Sequence, residues 1–320
     1  MKADLSYANI TKSYHDEDKA RELIEKQRWP NGPVCPHCGG IEVYRLKGKP
    51  ESKRPVRKGV LKCKKCRKQF TATVGTIFEG SHIPLNVWLQ AISLMCSSKK
   101  GISAHQLHQQ MGISYKSAWF MCHRIRYGMA QNPFAGKLTG TIEVDETYIG
   151  PPAKGKRGRG AGNKIPVVSL VSRTADGKPG EVRSFPVDKV SAKNLKEIIS
   201  TNVVPEATII TDDFASYRTL SHDFSVHEVI EHKDKVYVRK RAEDNFLVTT
   251  NTVEGYFSLL KRGLVGVYHH VGKNHLHRYC SEFDFRYSNR HITDAARTAL
   301  AVKGFEGKRL QYHEKQTRLS

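Results

Sequence analysis

Acidic side chains are scarce in this chain and long apolar runs are missing. Its 320 residues hold 31 Asp and Glu against 53 Lys and Arg, for a formal net charge of +22. No apolar stretch approaches the roughly 20 residues that span a bilayer. There is also no basic amphipathic helix with an aromatic and leucine face, and no lipidation motif, so a membrane role is not expected. Cysteine is sparse at seven residues. No secretory signal precedes them, which argues against a disulfide framework and for a cytoplasmic protein. What is present is 38% hydrophobic residues, enough for cores in two or three compact units. The positive excess calls for a polyanionic partner, because each phosphate contact releases condensed counterions; DNA or RNA is the leading class.

Four of the cysteines form two Cys-x-x-Cys pairs, Cys35-Pro-His-Cys38 and Cys63-Lys-Lys-Cys66. Thiolates at this spacing can close a tetrahedral zinc site in which each pair comes from a tight knuckle. A four-sulfur site leaves no open position, so its one Zn²⁺ folds the chain rather than catalysing. Disulfides and free core cysteines are the competing readings. Around the pairs, Val43 to Leu46, Val60 to Lys62 and Gln69 to Val74 read as a small antiparallel sheet.

A helix is expected from about Lys19 to Trp29, with Ala20, Leu23 and Ile24 as its apolar stripe. The region from Pro84 to about Met129 is helical as well. Trp88, Ile92 and Met95 recur at helical spacing, a short helix begins at Ser103 and closes at Gly112, and Ser114 caps a longer one. Ala118, Cys122, Ile125 and Met129 share a face of that helix, which leaves Lys116, His123 and Arg124 pointing elsewhere. This is the pattern of a helix-turn-helix with exposed basic residues, or of a plain helical hairpin.

The character changes after Pro133. Strands are expected at 141–145, 166–171, 181–186, 208–212 and about 225–230, with helices at 192–199 and 251–264, a mixed α/β region. The segment 151–164 is a Gly, Lys and Arg loop containing Lys154, Lys156, Arg157, Arg159 and Lys164. Asp145 and Asp212 each end an expected strand, and Glu254 lies near the start of the last helix. On that helix Asn251, Glu254, Ser258 and Lys261 form a polar stripe beside the apolar one. Three carboxylates brought together would hold two Mg²⁺ (or Mn²⁺) ions for phosphoryl transfer. Helix capping by the Asp residues, and Glu254 complementing a helix dipole, is the plainer alternative.

Taken together these residues resemble the DDE-type transposases of bacterial insertion sequences, in the subgroup with an N-terminal zinc ribbon. The resemblance runs through Arg28 to Gly32, Phe70-Thr71, Gly75 to Phe78, Glu143 to Tyr148 and Thr211-Asp212 with Ser216-Tyr217. It continues through Asn251 to Glu254, Leu260 to Gly263, Gly266 to His269 and Glu282 to Arg286. It implies an RNase H-like catalytic domain in which Asp145, Asp212 and a third ligand bind two divalent ions. Glu254 is favoured as that third ligand, with Asn251 an alternative or auxiliary one turn earlier. Asp213 is a rival to Asp212, or caps the helix that follows. Lys261, with Arg262, would contact DNA phosphate.

The implied organisation is a helical segment over 1–30, a zinc ribbon over 31–76, a helix-turn-helix region over 77–135, a catalytic domain over 136–292 and a basic tail over 293–320 that frays or binds locally. Terminal inverted repeats and target DNA are the implied partners, met by a homodimer on paired ends in a bacterial, nucleoid-associated setting. A non-catalytic zinc-ribbon regulator is the alternative.

Overall fold

A computed structural model describes residues 4–48, 56–130, 135–151, 164–174, 176–231, 238–241 and 246–312. The chain divides into two units, Met1–Met129 with Ile292–Ser320, and Ala130–His291.

In the first unit, α1 (Tyr7–Ser13) is capped by the Ser6 hydroxyl, and α2 (Glu17–Arg28) by Asp16, whose carboxylate accepts from the Asp18 and Lys19 amides. The expected stripe of Ala20, Leu23 and Ile24 is buried. Three short strands, β1 (Val43–Arg45), β2 (Leu61–Cys63) and β3 (Gln69–Phe70), form an antiparallel sheet in that order. Then come α3 (Leu85–Ser97), α4 (Ala104–Met111) and α5 (Tyr115–Met129). Ser103 caps α4, Gly112 ends it at φ 63°, and the Ser114 hydroxyl accepts from the Ser117 amide at the start of α5.

The helix-turn-helix elements are therefore present, but the exposed face of α5 is not the expected one. Lys116 is exposed, whereas His123 and Arg124 are buried. From Met121 to Arg126 every residue of α5 is buried, so these positions pack inside the unit and cannot face DNA. The Arg124 guanidinium lies 5.4 Å from the Trp88 ring centroid and 5.5 Å from that of Phe120, and donates to the Glu79 carbonyl. Burial pulls its pKa down to about 10, with Arg309 adding to the effect. Its apolar stem and stacked head fill space that alanine would leave empty. Arg124→Ala should therefore cost about 2–3 kcal/mol of stability, measured by denaturant unfolding.

The second unit is built on a five-stranded mixed sheet. Its strands are β4 (Thr141–Ile149), β5 (Ile165–Arg173), β6 (Pro179–Pro186), β7 (Thr208–Asp212) and β8 (Val226–Ile230), in the spatial order β6-β5-β4-β7-β8. The first three pair antiparallel; β4–β7 and β7–β8 are parallel. Helix α6 (Ala192–Asn202) follows β6, and the short strands β9 (Arg239–Lys240) and β10 (Leu247–Val248) precede α7 (Asn251–Gly266) and α8 (Leu276–Ser288). Ile142, Val144, Val168 and Leu170 pack with Leu195 and Ile199 of α6. Val167, Val171 and Val182 pack with Val253, Tyr256, Phe257 and Leu260 of α7 and with Cys280 and Phe283 of α8. Helices thus cover both faces, the mixed architecture expected of an RNase H-like catalytic domain.

Two expectations need correcting. Strand β4 does not stop at Asp145; it pairs with β5 as far as Ile149↔Ile165, because the partner strand offers backbone groups along its whole length. The segment after Thr293 does not fray from its start. It forms α9 (Asp294–Lys303), which packs on α3. Beyond α9, Phe305 is buried with its ring 5.7 Å from that of Phe78. A Cβ on Gly128 would meet that ring at 2.3 Å, so α5 can receive Phe305 only where it has no side chain.

Candidate metal centres

Four cysteines in the first unit are grouped to hold metal, and in the second unit the charges of Asp212 and Glu254 are felt at Asp145. In the first unit, Cys35, Cys38, Cys63 and Cys66 place their sulfurs within 4.8 Å of one another. The Sγ–Sγ separations are 3.6 Å for Cys35 and Cys66 and 3.7 Å for Cys38 and Cys63. A disulfide would need about 2.05 Å. A tetrahedron of Zn–S bonds of about 2.3 Å has edges of about 3.8 Å. None of the seven cysteines is in a disulfide, so the donor set and its spacing suit zinc. Each knuckle turns on the residue after its second cysteine: Gly39 at φ 70° and Arg67 at φ 62°. Their amides donate back to the Cys35 and Cys63 carbonyls at 2.9 and 3.1 Å. The remaining core of this sheet is small, Leu61 and Phe70 with Trp29, Val43 and Val74 against it.

In the second unit the carboxylates come together through strand register. The parallel pairing of β4 with β7 runs Thr141↔Thr208, Ile142↔Ile209, Glu143↔Ile210. Continued by two residues along each strand, this register would bring Asp145 beside Asp212, one strand spacing of about 4.8 Å away, and the Asp212 charge is felt at Asp145. They share a face with Glu143 and Ile210, the face that α7 covers. Glu254 is exposed in the first turn of α7, where its Oε1 accepts from the Thr250 hydroxyl at 3.1 Å. Asn251 is also exposed, at the first position of that helix.

Asp145 registers this company. Burial pushes its carboxyl up to about 8, and the negative charges of Glu146, Asp212 and Glu254 push the same way against the Glu146 amide, which donates to it at 2.7 Å. Among the described residues the carboxylate oxygens do not form a group all within 4.8 Å of one another, as the sulfurs do. Three bare carboxylates repel, and ligands shared between two ions about 3.5–4 Å apart need not all touch each other. The donor set, oxygen throughout, suits hard divalent cations.

Lysine lies close by. Burial lowers the Lys261 pKa, Asp145 opposes that, and Lys164 reinforces it; one exposed ammonium of α7 thus lies within electrostatic range of Asp145 and of Lys164. Arg262 is exposed on the same helix. Lys154, Lys156, Arg157 and Arg159 lie outside the described residues. Asp212 accepts from the Phe214 amide at 3.1 Å. The 3₁₀ turn that follows, Ala215–His222, has Phe214 at its N-cap position with no side-chain capping bond there, so Asp213 precedes the cap position rather than holding it.

Sequence reading missed several buried polar residues of this unit. Glu143 is fully buried and paired with Arg173 of β5. The Tyr217 hydroxyl donates to Glu146 Oε2 at 2.7 Å, joining two of the motif blocks. Tyr268 donates to Glu282, which also pairs with the buried Arg286. Asp284 accepts from Ser184 and Tyr256, and burial raises it to about 7. The signal for Glu143 was its spacing: two residues before Asp145 on a strand, hence on the same face. Helix α8 was also missed, although Leu276, Tyr279, Cys280 and Phe283 recur at helical spacing.

Comparison with known families bears on both units. Residues 15–69 match the family described as transposase zinc-ribbon domain, and residues 137–288 match the ISXO2-like transposase domain. A protein of Halobacterium salinarum described as "Uncharacterized protein in transposable element ISH50" is 29% identical over 292 residues, 86% of this chain and 92% of that one. No helix among the described residues is long and apolar enough to cross a membrane.

Proposed function

With an ISXO2-like transposase domain set behind a transposase zinc ribbon as premise, we propose that this protein cuts DNA at the ends of an insertion sequence and joins them to target DNA. The observation that carries the reading is the β4–β7 register, which sets Asp145 beside Asp212 on the face where α7 supplies Glu254. Two Mg²⁺ or Mn²⁺ ions held there would activate an attacking oxygen and stabilise a leaving one. Asp145, Asp212 and Glu254 are the catalytic ligands in this reading. Glu254 is preferred over Asn251 because its charge is felt at Asp145. Lys261 would hold the scissile phosphate's neighbour by charge, with Arg262 and the basic loop of Lys154, Lys156, Arg157, Arg159 and Lys164 on the backbone. The zinc ribbon and the helix-turn-helix would grip the terminal inverted repeats, Lys116 among the contacts. Two ends require two active sites, hence a homodimer on paired ends, acting in the cytoplasm at the nucleoid. In domain terms 31–76 is the ribbon, 77–135 the DNA-binding helices and 136–292 the catalytic domain.

The test is a supercoiled plasmid bearing the element's ends, incubated with pure protein and Mg²⁺. Nicks at both ends followed by joined products are expected. Cutting without joining would make the protein a nuclease, and binding without cutting would make it a regulator. On the same substrate, Lys116→Ala should weaken binding and reduce the salt slope by about one without lowering stability.

A further inference from the structure

The start of α7 is held in an unusual way. The first amides of a helix have no partner within it and are ordinarily met by the N-cap side chain. Here the N-cap is Thr250, whose hydroxyl makes no capping bond and donates instead to Glu254. The third amide of the helix, Val253 N–H, donates at 2.9 Å to Glu143 Oε2. That carboxylate comes from a strand 110 residues earlier in the chain and has no exposed surface.

A buried carboxylate must be compensated, and the partner is Arg173 of β5. Its Nε donates to Glu143 Oε1 at 2.5 Å. Its other nitrogens reach past Glu143 to the segment that leads into α7: Nη1 to the Leu247 carbonyl at 2.7 Å, and Nη2 to the Thr249 carbonyl at 2.6 Å. The planar guanidinium can serve all three acceptors at once, which a lysine cannot. Two adjacent strands and both sides of the helix start therefore meet at one buried node.

We propose that Glu143 and Arg173 form a positioning clamp that sets where Glu254 stands relative to Asp145. The geometry is short on both arms. Glu143 and Asp145 are two residues apart on one face of β4, a rise of about 6.6 Å. Val253, whose amide Glu143 holds, immediately precedes Glu254. A shift of the helix start thus moves Glu254 directly, and Asn251 with it. Both side chains are buried, so the pair is placed to position the helix rather than to meet substrate. The attraction of a buried carboxylate for the positive end of α7 adds to the hydrogen bond. The proposal rests on the reading of Glu254 as a metal ligand.

Glu143→Gln and Arg173→Lys test it in the full-length, zinc-loaded protein by two readouts besides activity. Hydrogen exchange at the Val253 amide reports the helix start. Calorimetric titration with Mn²⁺ reports the carboxylate site. In both variants we expect protection of Val253 to fall at least tenfold and Mn²⁺ affinity to fall about tenfold, while the zinc content is unchanged. DNA-end binding should stay near wild type, so that turnover falls and the apparent KM for DNA does not.

A folded Glu143→Gln with unchanged Val253 protection and Mn²⁺ affinity would overturn the clamp. If Glu143→Gln does not fold, Arg173→Lys decides by the same two measurements. Unfolding of both would assign the pair to sheet stability and overturn the positioning role. Wild-type protein that binds no Mn²⁺ would sink the catalytic reading instead, and the exchange data would still report on the helix start.

Discussion

Asp145→Asn is expected to abolish end cleavage, by about a thousandfold or more, while raising the melting temperature of the metal-free protein. The activity loss follows if Asp145 is the central ligand, flanked by Asp212 on the next strand and by Glu254 on α7. The gain in stability follows from its environment. Its carboxyl sits at about 8 in the folded protein against 3.8 for the ordinary group. Folding therefore favours the protonated form, and the unfolded chain gives up its proton about four pH units earlier.

Below pH 4 both states hold the proton and Asp145 costs nothing. Between about 4 and 8 the folded state must retain a proton that the unfolded state has released, so stability falls as pH rises and then levels off. At pH 7 roughly three units at about 1.36 kcal/mol each set an upper limit of about 4 kcal/mol. Asparagine keeps the bond from the Glu146 amide and removes the charge. The variant should melt several degrees higher at pH 9 and close to wild type near pH 4, as measured by calorimetry in magnesium-free buffer without a chelator that would strip zinc. An Asp145→Asn protein that still nicks the element's ends, or that melts lower than wild type at pH 9, would count against this account. Divalent ions should reverse the wild-type loss, since their charge replaces the proton.

The second large effect is at the cysteines. Cys35→Ser should lose its zinc and unfold the ribbon. Apart from the thiolates, the ribbon buries only a handful of apolar side chains, Leu61 and Phe70 foremost. At about 1.5–3 kcal/mol for each fully buried side chain, that core cannot offset the entropy of ordering this segment. Zinc binding in such sites supplies about 10–16 kcal/mol, so metal and fold stand or fall together. The readout is zinc content together with the accessibility of Cys38, Cys63 and Cys66 to a thiol reagent. Wild-type protein should react slowly, and the variant should react at the rate of an unfolded peptide. The second unit, which has its own core around Ile142, Val168 and Phe283, should keep its melting transition. If the variant retains one zinc per chain and shielded thiols, the site is not what holds the ribbon together.

Some errors of the sequence reading share one cause. Periodicity assigns faces to a helix as though one side met water, and α5 is enclosed on most of its sides by its own unit, so His123 and Arg124 are buried despite their polarity. The segment after Thr293 reads as basic because its six Lys and Arg outnumber its three Asp and Glu. Its docking depends on Phe305 finding the bare backbone of Gly128, a contact between positions 177 residues apart. Asp145 was placed at a strand end because Asp disfavours strand interiors. In a two-sided sheet the partner strand decided otherwise.

The cysteine site and most of the element order were set by local pattern: paired cysteines at knuckle spacing, alternation in the strands, and hydroxyl caps at Ser103 and Ser114. These are properties of a few neighbouring residues, and no distant contact is needed to set them. Tertiary structure alone decided which charges meet. The register of β4 with β7 puts Asp145 against Asp212, and a buried Glu143–Arg173 pair receives the start of α7. Such meetings depend on how separate elements pack, since burial removes the water that would otherwise screen and solvate each charge and leaves only its partners in the fold.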